Sequence, residues 1–526
     1  MFRTLALAAL VVALGAGRAE AATQQLPIYV VPGLELEDLR RLEARGAVGL
    51  LVPANGPTTS GLQARAALTR GELRSAFLDG GVPGGPPRVS FETAAAPPAG
   101  APAIVLGLPS GGEQPNDRRY PIAVIGRGFH GLLTSPSTRL PGVVSIVDVA
   151  PTALGEEGLG WTPARDPVAR VLALDRLIEK KKDARLVSSL LAGGLIALLA
   201  FVFPRAAPLS YATALVANLI LGAAETATLW IVLLVIAGAV AAAVPLALVL
   251  RRPVIIGLVL ASVLALYLAA FVVDGAWVAY APWGPPQNGR FYGVSNLLET
   301  LLLVPALVGA ALLARRFGPG AFAGVAALAF VVVAGSRFGA DGGGALVLAA
   351  GYAVLASLLA GLRGRGLVVA LTGAGVLAGA LIALDAATGG SSHVTRAIGG
   401  GPEGLASHFG ERLQISWERA TLGPAPAVSV FLSLAVVAVL VVRLLASDVP
   451  ARQRALPLAF AAAVAVSLAV NDSPNDVAVA GLVGYLVCEA AMLPARCAAA
   501  SCSRSPSAFS WPAAVARRPW RLRPRP

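Results

Sequence analysis

From residue 186 onward, long apolar stretches alternate with short polar breaks. They run near Leu186 to Phe203, Leu209 to Ala224, Ala227 to Leu250, Val254 to Val273, Val294 to Leu313, Ala321 to Ala334, Ala345 to Leu362, Leu367 to Leu384, Val428 to Leu445, Ala455 to Val470 and Val477 to Leu493. Most approach the ~20 residues needed to cross a hydrocarbon core. The pattern therefore predicts an all-α polytopic transmembrane bundle of about 11 helices over residues 186–493.

Upstream the period changes. Short β-branched runs at Pro27 to Val31, Ala47 to Val52, Ala103 to Leu106, Ile122 to Ile125 and Val143 to Val147 are spaced by a helical stretch, Glu35 to Arg45. Loops rich in Gly, Pro and Ala lie between them, at Gly80 to Pro87 and Ala94 to Pro102. Strands separated in this way predict an α/β domain with a largely parallel sheet over residues 22–183. Ahead of it, Arg3, the apolar run Leu5 to Gly17 and Ala19-Glu20-Ala21 carry the charged, apolar and small-residue regions of a secretory signal. Residues 1–21 are read as that signal, cleaved near Ala21 or Ala22, which places the α/β domain outside the cytoplasm. Residues 494–526, rich in Arg, Pro, Ser and Ala, bury no core and read as a disordered basic cytoplasmic tail.

Composition agrees with a lipid setting: 56% of residues are hydrophobic and 13% charged, against roughly 25% charged in a soluble domain. The net charge of +13 points first to nucleic acid, but the position of the arginines gives another reading. With the α/β domain exported, the first span runs inward and the later loops alternate. The loops then assigned inside hold Arg205, Arg251 and Arg252, Arg315 and Arg316, Arg363 and Arg365, and Arg443, Arg452 and Arg454, and the tail adds seven more arginines. That is the positive-inside bias. The charge is topological, the lipid bilayer is the expected partner, and nucleic acid is not. Cys488, Cys497 and Cys502 all lie in the last span or the tail, so the exported domain has no disulfide framework. With His130, His393 and His408 the only histidines, neither a metal centre nor a cofactor is expected.

The same alternation puts the conspicuous polar clusters on the outer side. One loop carries Asp274, Trp277 and Trp283 and ends in Arg290-Phe291-Tyr292-Gly293-Val294-Ser295-Asn296, with Glu299 about a turn later. Others hold Arg337 and Asp341-Gly342-Gly343-Gly344, then Ser391-Ser392-His393 with the amphipathic stretch His408 to Arg419, and finally Asn471-Asp472-Ser473-Pro474-Asn475-Asp476. Charged groups at a membrane boundary need a partner or water, which makes them functional candidates. The candidate ligand-binding set is Arg290, Tyr292, Asn296, Glu299, Arg337, Asp341, His393, Asn471 and Asp472, with Asp476 beside it. Arginine suits phosphate or carboxylate, and the glycines after Asp341 give backbone N–H groups access to an anion.

Two stretches of the exported domain resemble the alkaline phosphatase and sulfatase superfamily. Ile28-Tyr29-Val30-Val31-Pro32-Gly33-Leu34, with Arg45-Gly46-Ala47-Val48-Gly49 after it, resembles that superfamily's opening strand, turn and first helix. Gly131 to Arg139, running into Ile146-Val147-Asp148-Val149-Ala150-Pro151-Thr152-Ala153-Leu154, is similar to its late strand and the "D-x-x-P-T-x-L" helix start. The resemblance covers about a third of the chain and implies a truncated alkaline phosphatase-like fold. It also implies what is missing. Pro32 stands where the superfamily carries a metal-ligating aspartate, and His130 is the only histidine in the segment. Thr58, Thr59 and Ser60 lie roughly where a hydroxyl nucleophile belongs, but nothing there activates them, and Asp148 reads as a helix cap. The domain is therefore expected to be a pseudoenzyme. The Arg-Phe-Tyr-Gly, Asp341 and Asn-Asp-Ser segments together resemble an uncharacterised family of bacterial polytopic proteins that pair such a bundle with a phosphatase-like ectodomain.

Three functions stay open at this point. The first is a non-enzymatic cell-envelope protein whose ectodomain docks a partner or an anionic, phosphate-bearing envelope ligand over an outward-facing polar site. The second is a transporter or flippase for an anionic envelope precursor. The third is a membrane-embedded transferase acting on a lipid-linked substrate, with His393 as its base.

Overall fold

The structure is a computed structural model that describes residues 26–53, 60–75, 77–78, 81–100, 102–108, 118–286, 291–362 and 401–491, with scattered positions between 364 and 380. The expected signal segment, Thr58 and Thr59, most of the stretch Leu367 to Leu384 and the tail lie outside the described residues. The chain divides into two compact units, with the boundary between Leu174 and Asp175. Each is described by itself.

The first unit is built on an eight-stranded sheet: β1 (Ile28–Val30), β2 (Gly46–Val52), β3 (Glu92–Thr93), β4 (Ala103–Leu106), β5 (Tyr120–Ile125), β6 (Gly131–Thr134), β7 (Val143–Ser145) and β8 (Gly160–Thr162). Their order is β3-β1-β4-β5-β2-β6-β8, with β7 also paired to β2. All seven residues of β2 are buried, as expected of a central strand that is apolar throughout, Ala47-Val48-Gly49-Leu50-Leu51. The sheet is mixed, which corrects the expectation of a largely parallel one. β5 runs antiparallel to both neighbours, β2 and β4, and β8 antiparallel to β6, while the pairs of β1 with β3 and β4, and of β2 with β6 and β7, are parallel. Strand runs in the sequence carry no sign of direction; that depends on which neighbour each strand finds.

Helix α1 (Gly61–Arg70) starts at a capping box. Ser60 Oγ accepts from Gln63 N at 3.3 Å and Gln63 Oε1 accepts from Ser60 N at 2.6 Å, so Ser60 serves as a helix cap. The helix expected over Glu35 to Arg45 is a short 3-10 turn, Leu36–Arg41, in which Leu39 alone is buried; one buried side chain gives a longer helix little to pack on. The expected cap role of Asp148 is also corrected. It precedes α2 (Val149–Leu154), but its carboxylate makes no cap hydrogen bond. Instead it accepts from Ser135 Oγ, from Ser137 Oγ at 2.9 Å and from Ser137 N at 3.1 Å. A buried carboxylate takes whatever donors satisfy it, and here they tie the turn after β6 to the start of α2. Leu51, Ile104, Leu106, Val124, Leu133 and Val149 form the core of this unit.

The second unit is helical. α3 (Pro167–Val202) contains the unit boundary and is followed by α4 (Ala207–Ala223), α5 (Leu229–Val249), α6 (Pro253–Asp274), the single turn α7 (Ala276–Tyr280), α8 (Asn296–Phe317), α9 (Pro319–Ala334), α10 (Gly342–Leu359), α11 (Gly401–Ala420), α12 (Pro424–Ala446), α13 (Ala451–Val470) and α14 (Pro474–Ala490). Among the described residues seven helices are long and apolar enough to cross a membrane: α3, α5, α6, α8, α10, α12 and α13. α4 and α9 are apolar but shorter, with 17 and 16 residues, and the stretch Leu367 to Leu384 lies mostly outside the described residues. Trp230, Leu234, Val249 and Val439 stand exposed on these helices. In water they would form an apolar surface far larger than soluble proteins carry; on spans they are the faces that meet lipid. The chain is thus a membrane-inserted protein.

One helix is different. In α8, 83% of the apolar window is buried, against 17% in α12, so α8 is the inner helix around which the others pack. Small residues let helices approach, since lipid supplies no hydrophobic drive between them. At Gly484 of α14 an added Cβ would run into the Phe460 ring of α13.

Candidate functional site

Asn471 to Asp476, which covers the joint between α13 and α14 and the first turn of α14, is where the bundle's polar contacts meet. Asn471 Nδ2 donates to Glu299 Oε2 of α8 at 2.5 Å and to Ser467 Oγ at 2.8 Å. Asp472 Oδ1 accepts from Asn296 Nδ2 at 2.9 Å, and its other oxygen lies 3.6 Å from Arg412 and 3.7 Å from Arg419, both on α11. Arg419 also donates to Asp472 O at 2.8 Å and to Ser473 Oγ at 3.4 Å. Ser429 Oγ of α12 donates to Asn475 Oδ1 at 3.3 Å, and Arg185 of α3 pairs with Asp476 at 2.7 Å. Five residues therefore reach α3, α8, α11, α12 and α13. Pro474 opens α14 where its missing N–H is no loss, so the short polar side chains on both sides of it sit at the helix start, within reach of the neighbouring helices.

Glu299 is the most buried acidic side chain among the described residues. It lies in the first turn of α8, is fully buried, and its Oε1 has no hydrogen-bond partner. Asp341 acts on it electrostatically. Asp341 is itself buried and caps α10, with Oδ1 accepting from Gly344 N at 3.2 Å. Gly343 allows close approach: a Cβ there would sit 2.7 Å from Asn471 Oδ1 and 3.4 Å from Asp341 Oδ1. Asn471 thus presents its amide nitrogen to Glu299, while its carbonyl oxygen lies against Gly343. Asp472, outside the spans, is governed differently. Burial works against its ionisation, but the guanidinium groups of Arg419 and Arg412 and the Asn296 amide outweigh that and hold its carboxyl below the usual range.

Of the residues singled out in the sequence, the structure brings together Asn296, Glu299, Asp341, Asn471 and Asp472. Arg337 is exposed and has no ion pair among the described residues, and Tyr292 is half-buried in the segment before α8. Arg290 and His393 lie outside the described residues. The sequence reading missed Arg185, Ser467, Arg412 and Arg419. Both α11 arginines fall in the stretch noted as amphipathic, and their spacing of seven, two helical turns, is the sign that they share a face.

Trp283, noted as a loop residue, is a packing anchor 2% exposed. Its backbone N donates to Asn218 Oδ1 at 2.9 Å and its Nε1 to Ser188 Oγ at 3.1 Å, while its carbonyl accepts from Ser295 Oγ, the cap of α8, at 2.8 Å. Nearby, Lys181 Nζ donates to the carbonyls of Ala279 and Pro285. These contacts hold the segment leading to α8, and with it the position of Glu299.

In the first unit, Pro32 is exposed at the end of β1, and His130 is exposed, packed on Trp161 with ring centroids 3.5 Å apart. Among the described residues no three His, Cys, Asp or Glu side chains are grouped so as to hold a metal ion. The chain matches no protein-family model, no curated protein and no solved structure.

Proposed function

We propose that this is a multi-pass protein of the cell envelope whose α/β unit lies outside the cytoplasm and docks a partner or ligand without catalysis, and whose bundle carries a polar binding site around Asn471 to Asp476. The observation that carries this reading is Glu299. A carboxyl fully buried on an apolar membrane helix is costly, and such a group is a functional candidate by default. Arg412 supports an anionic or phosphate-bearing ligand: its side chain is 34% exposed, and Asp472 at 3.6 Å is its ion-pair partner among the described residues. The reading of the α/β unit as a degenerate phosphatase-like domain rests on its two sequence stretches, on Pro32, and on Asp148 being engaged by Ser135 and Ser137.

Two experiments test it. In intact spheroplasts a membrane-impermeant maleimide labels an Ala95→Cys variant, while Cys497 and Cys502 of the tail label only after permeabilisation; the reverse pattern refutes the orientation. In a strain that needs this protein, Arg412→Ala and Glu299→Gln each abolish function at normal protein level; unchanged growth and envelope composition refute the site. A transporter is the second reading, favoured by the same observation, because a carboxyl inside a span is the usual mark of an ion pathway.

A further inference from the structure

Helices α5 and α6 both pack on α4, and the space between them is a groove of about 600 Å³ with α4 as its floor. Val216 and Ile220 line the floor, Val235 and Ala242 one wall, and Ile255 and Leu266 mark the two ends of the other. Ile220, Val235 and Leu266 are exposed, so the groove opens on the face that meets lipid. At about 1.5 Å per residue the α6 wall is about 16 Å long, close to half of the ~30 Å hydrocarbon core. That is the depth of one leaflet's acyl chains.

Charge marks one end of this groove. Where α4 and α6 begin and α5 finishes, Ala206, Leu209, Ala243 and Ala247 form a small apolar cluster, with Leu250, Ile256 and Val259 against it. Val259 also lines the groove. Arg205 adjoins Ala206, and Arg251 and Arg252 follow Leu250. Arg252 is the N-cap of α6, its carbonyl accepting from Ile255 N at 2.9 Å, so it stands one turn from the first residue of the groove wall. All three arginines are exposed. Arg251 Nε donates to Leu248 O at 2.8 Å, whereas the side chains of Arg205 and Arg252 make no hydrogen bond or ion pair among the described residues. Between residues 184 and 298 the only acidic residues are Glu225 and Asp274, at the opposite ends of α4 and α6.

From this we infer that the groove between α5 and α6 is a binding site for an anionic phospholipid, one acyl chain lying along α4 and the phosphate held at the Arg205, Arg251 and Arg252 end. The site is separate from the polar network around Asn471 to Asp476. Basic clusters at the ends of transmembrane helices take anionic head groups, and the guanidinium fork matches a phosphate. The positive-inside bias accounts for arginines at this level, but not for an apolar groove of one leaflet's depth beside them. A zwitterionic lipid would fill the groove and leave the arginines facing a head group without net charge. Free phosphate would answer the arginines and leave the apolar walls uncovered.

The test titrates the full chain in detergent micelles with dioleoyl phosphatidylglycerol, dioleoyl phosphatidylcholine or inorganic phosphate. Native mass spectrometry counts the lipids retained, and Tm reports stabilisation. One phosphatidylglycerol is expected to bind saturably, about tenfold or more tighter than phosphatidylcholine, and to raise Tm, while phosphate alone does not. The double variant Arg205→Ala with Arg252→Ala weakens that binding about thirtyfold. Ser262→Phe, at an exposed position of the α6 wall, fills the groove, keeps every arginine and also loses the tight lipid. Arg443→Ala, an exposed arginine of α12, keeps it. Equal affinity for the two lipids overturns the inference, as does stabilisation by inorganic phosphate alone. A loss in Arg443→Ala as large as in the double variant overturns it too, as would binding untouched by Ser262→Phe, which would leave a head-group contact without a groove.

Discussion

Asn471 offers the sharpest test of the bundle's polar network. Replacing it with alanine removes two donated hydrogen bonds, at 2.5 Å to Glu299 and 2.8 Å to Ser467. A hydrogen bond to a charged group contributes about 1.5–3 kcal/mol and a neutral one about 1 kcal/mol, so Asn471→Ala destabilises the protein by about 3 kcal/mol. Glu299→Gln behaves differently. The glutamine carbonyl still accepts from Asn471, and its NH₂ replaces the unpartnered oxygen with a donor, so the change stays within about 1 kcal/mol. In the Glu299→Gln background, Asn471→Ala then costs about 1–2 kcal/mol, giving a coupling of about 1–2 kcal/mol across the cycle. Unfolding of the full chain in mixed micelles, followed by tryptophan fluorescence with choline as the only added cation, measures all four corners. A coupling below about 0.5 kcal/mol would show only that the Asn471 amide gains nothing from a charge on Glu299, because the glutamine keeps the hydrogen bond; an Asn471→Ala cost below about 1 kcal/mol in the unaltered background would refute the hydrogen bond itself and with it the description of the site.

Three other outcomes follow from separate parts of the structure. Because Asp472 is held below the usual carboxylate range in the native state, its stabilisation is fully present above the unfolded value near pH ~3.9 and is lost as pH falls through the lower native value; Asp472→Asn lowers stability at pH ~7 by about 1–3 kcal/mol and flattens the acid limb of the stability profile. In the α/β unit, Asp148→Ala removes the carboxylate that accepts from Ser135 and Ser137 and costs about 2–4 kcal/mol, measured as loss of protection in hydrogen exchange around β6 and α2, whereas a catalytic role would leave stability intact. Gly484→Ala drives a methyl into the Phe460 ring and costs about 1–3 kcal/mol, read as a lowered Tm with unaltered membrane insertion.

What could be read from the chain alone was whatever depends on local period and composition. The membrane helices follow from runs of apolar residues, because lipid demands internal hydrogen bonding and an apolar exterior over a set length. The strands β2, β4 and β5 follow from short β-branched runs. Asn296, Glu299, Asp341, Asn471 and Asp472 stood out because polar groups at the edge of apolar runs are rare enough to notice. The capping by Ser60 was within reach of local reading as well, given Gln63 three residues on.

Contacts between distant positions were decided by the tertiary structure. That β5 runs antiparallel to both its neighbours depends on crossovers that no strand's own residues encode. Asp148 looked like a cap from its place before a helix; thirteen residues upstream, Ser135 supplied a better partner. Arg185 meets Asp476 across 291 residues of sequence, and Asn471 meets Glu299 across 172. Such pairs leave no trace in spacing, since the bundle alone brings them together. The unpartnered oxygen of Glu299 is of the same kind: the sequence shows a carboxylate at the edge of a span, and only the packing of α8 inside the bundle shows that no donor reaches it.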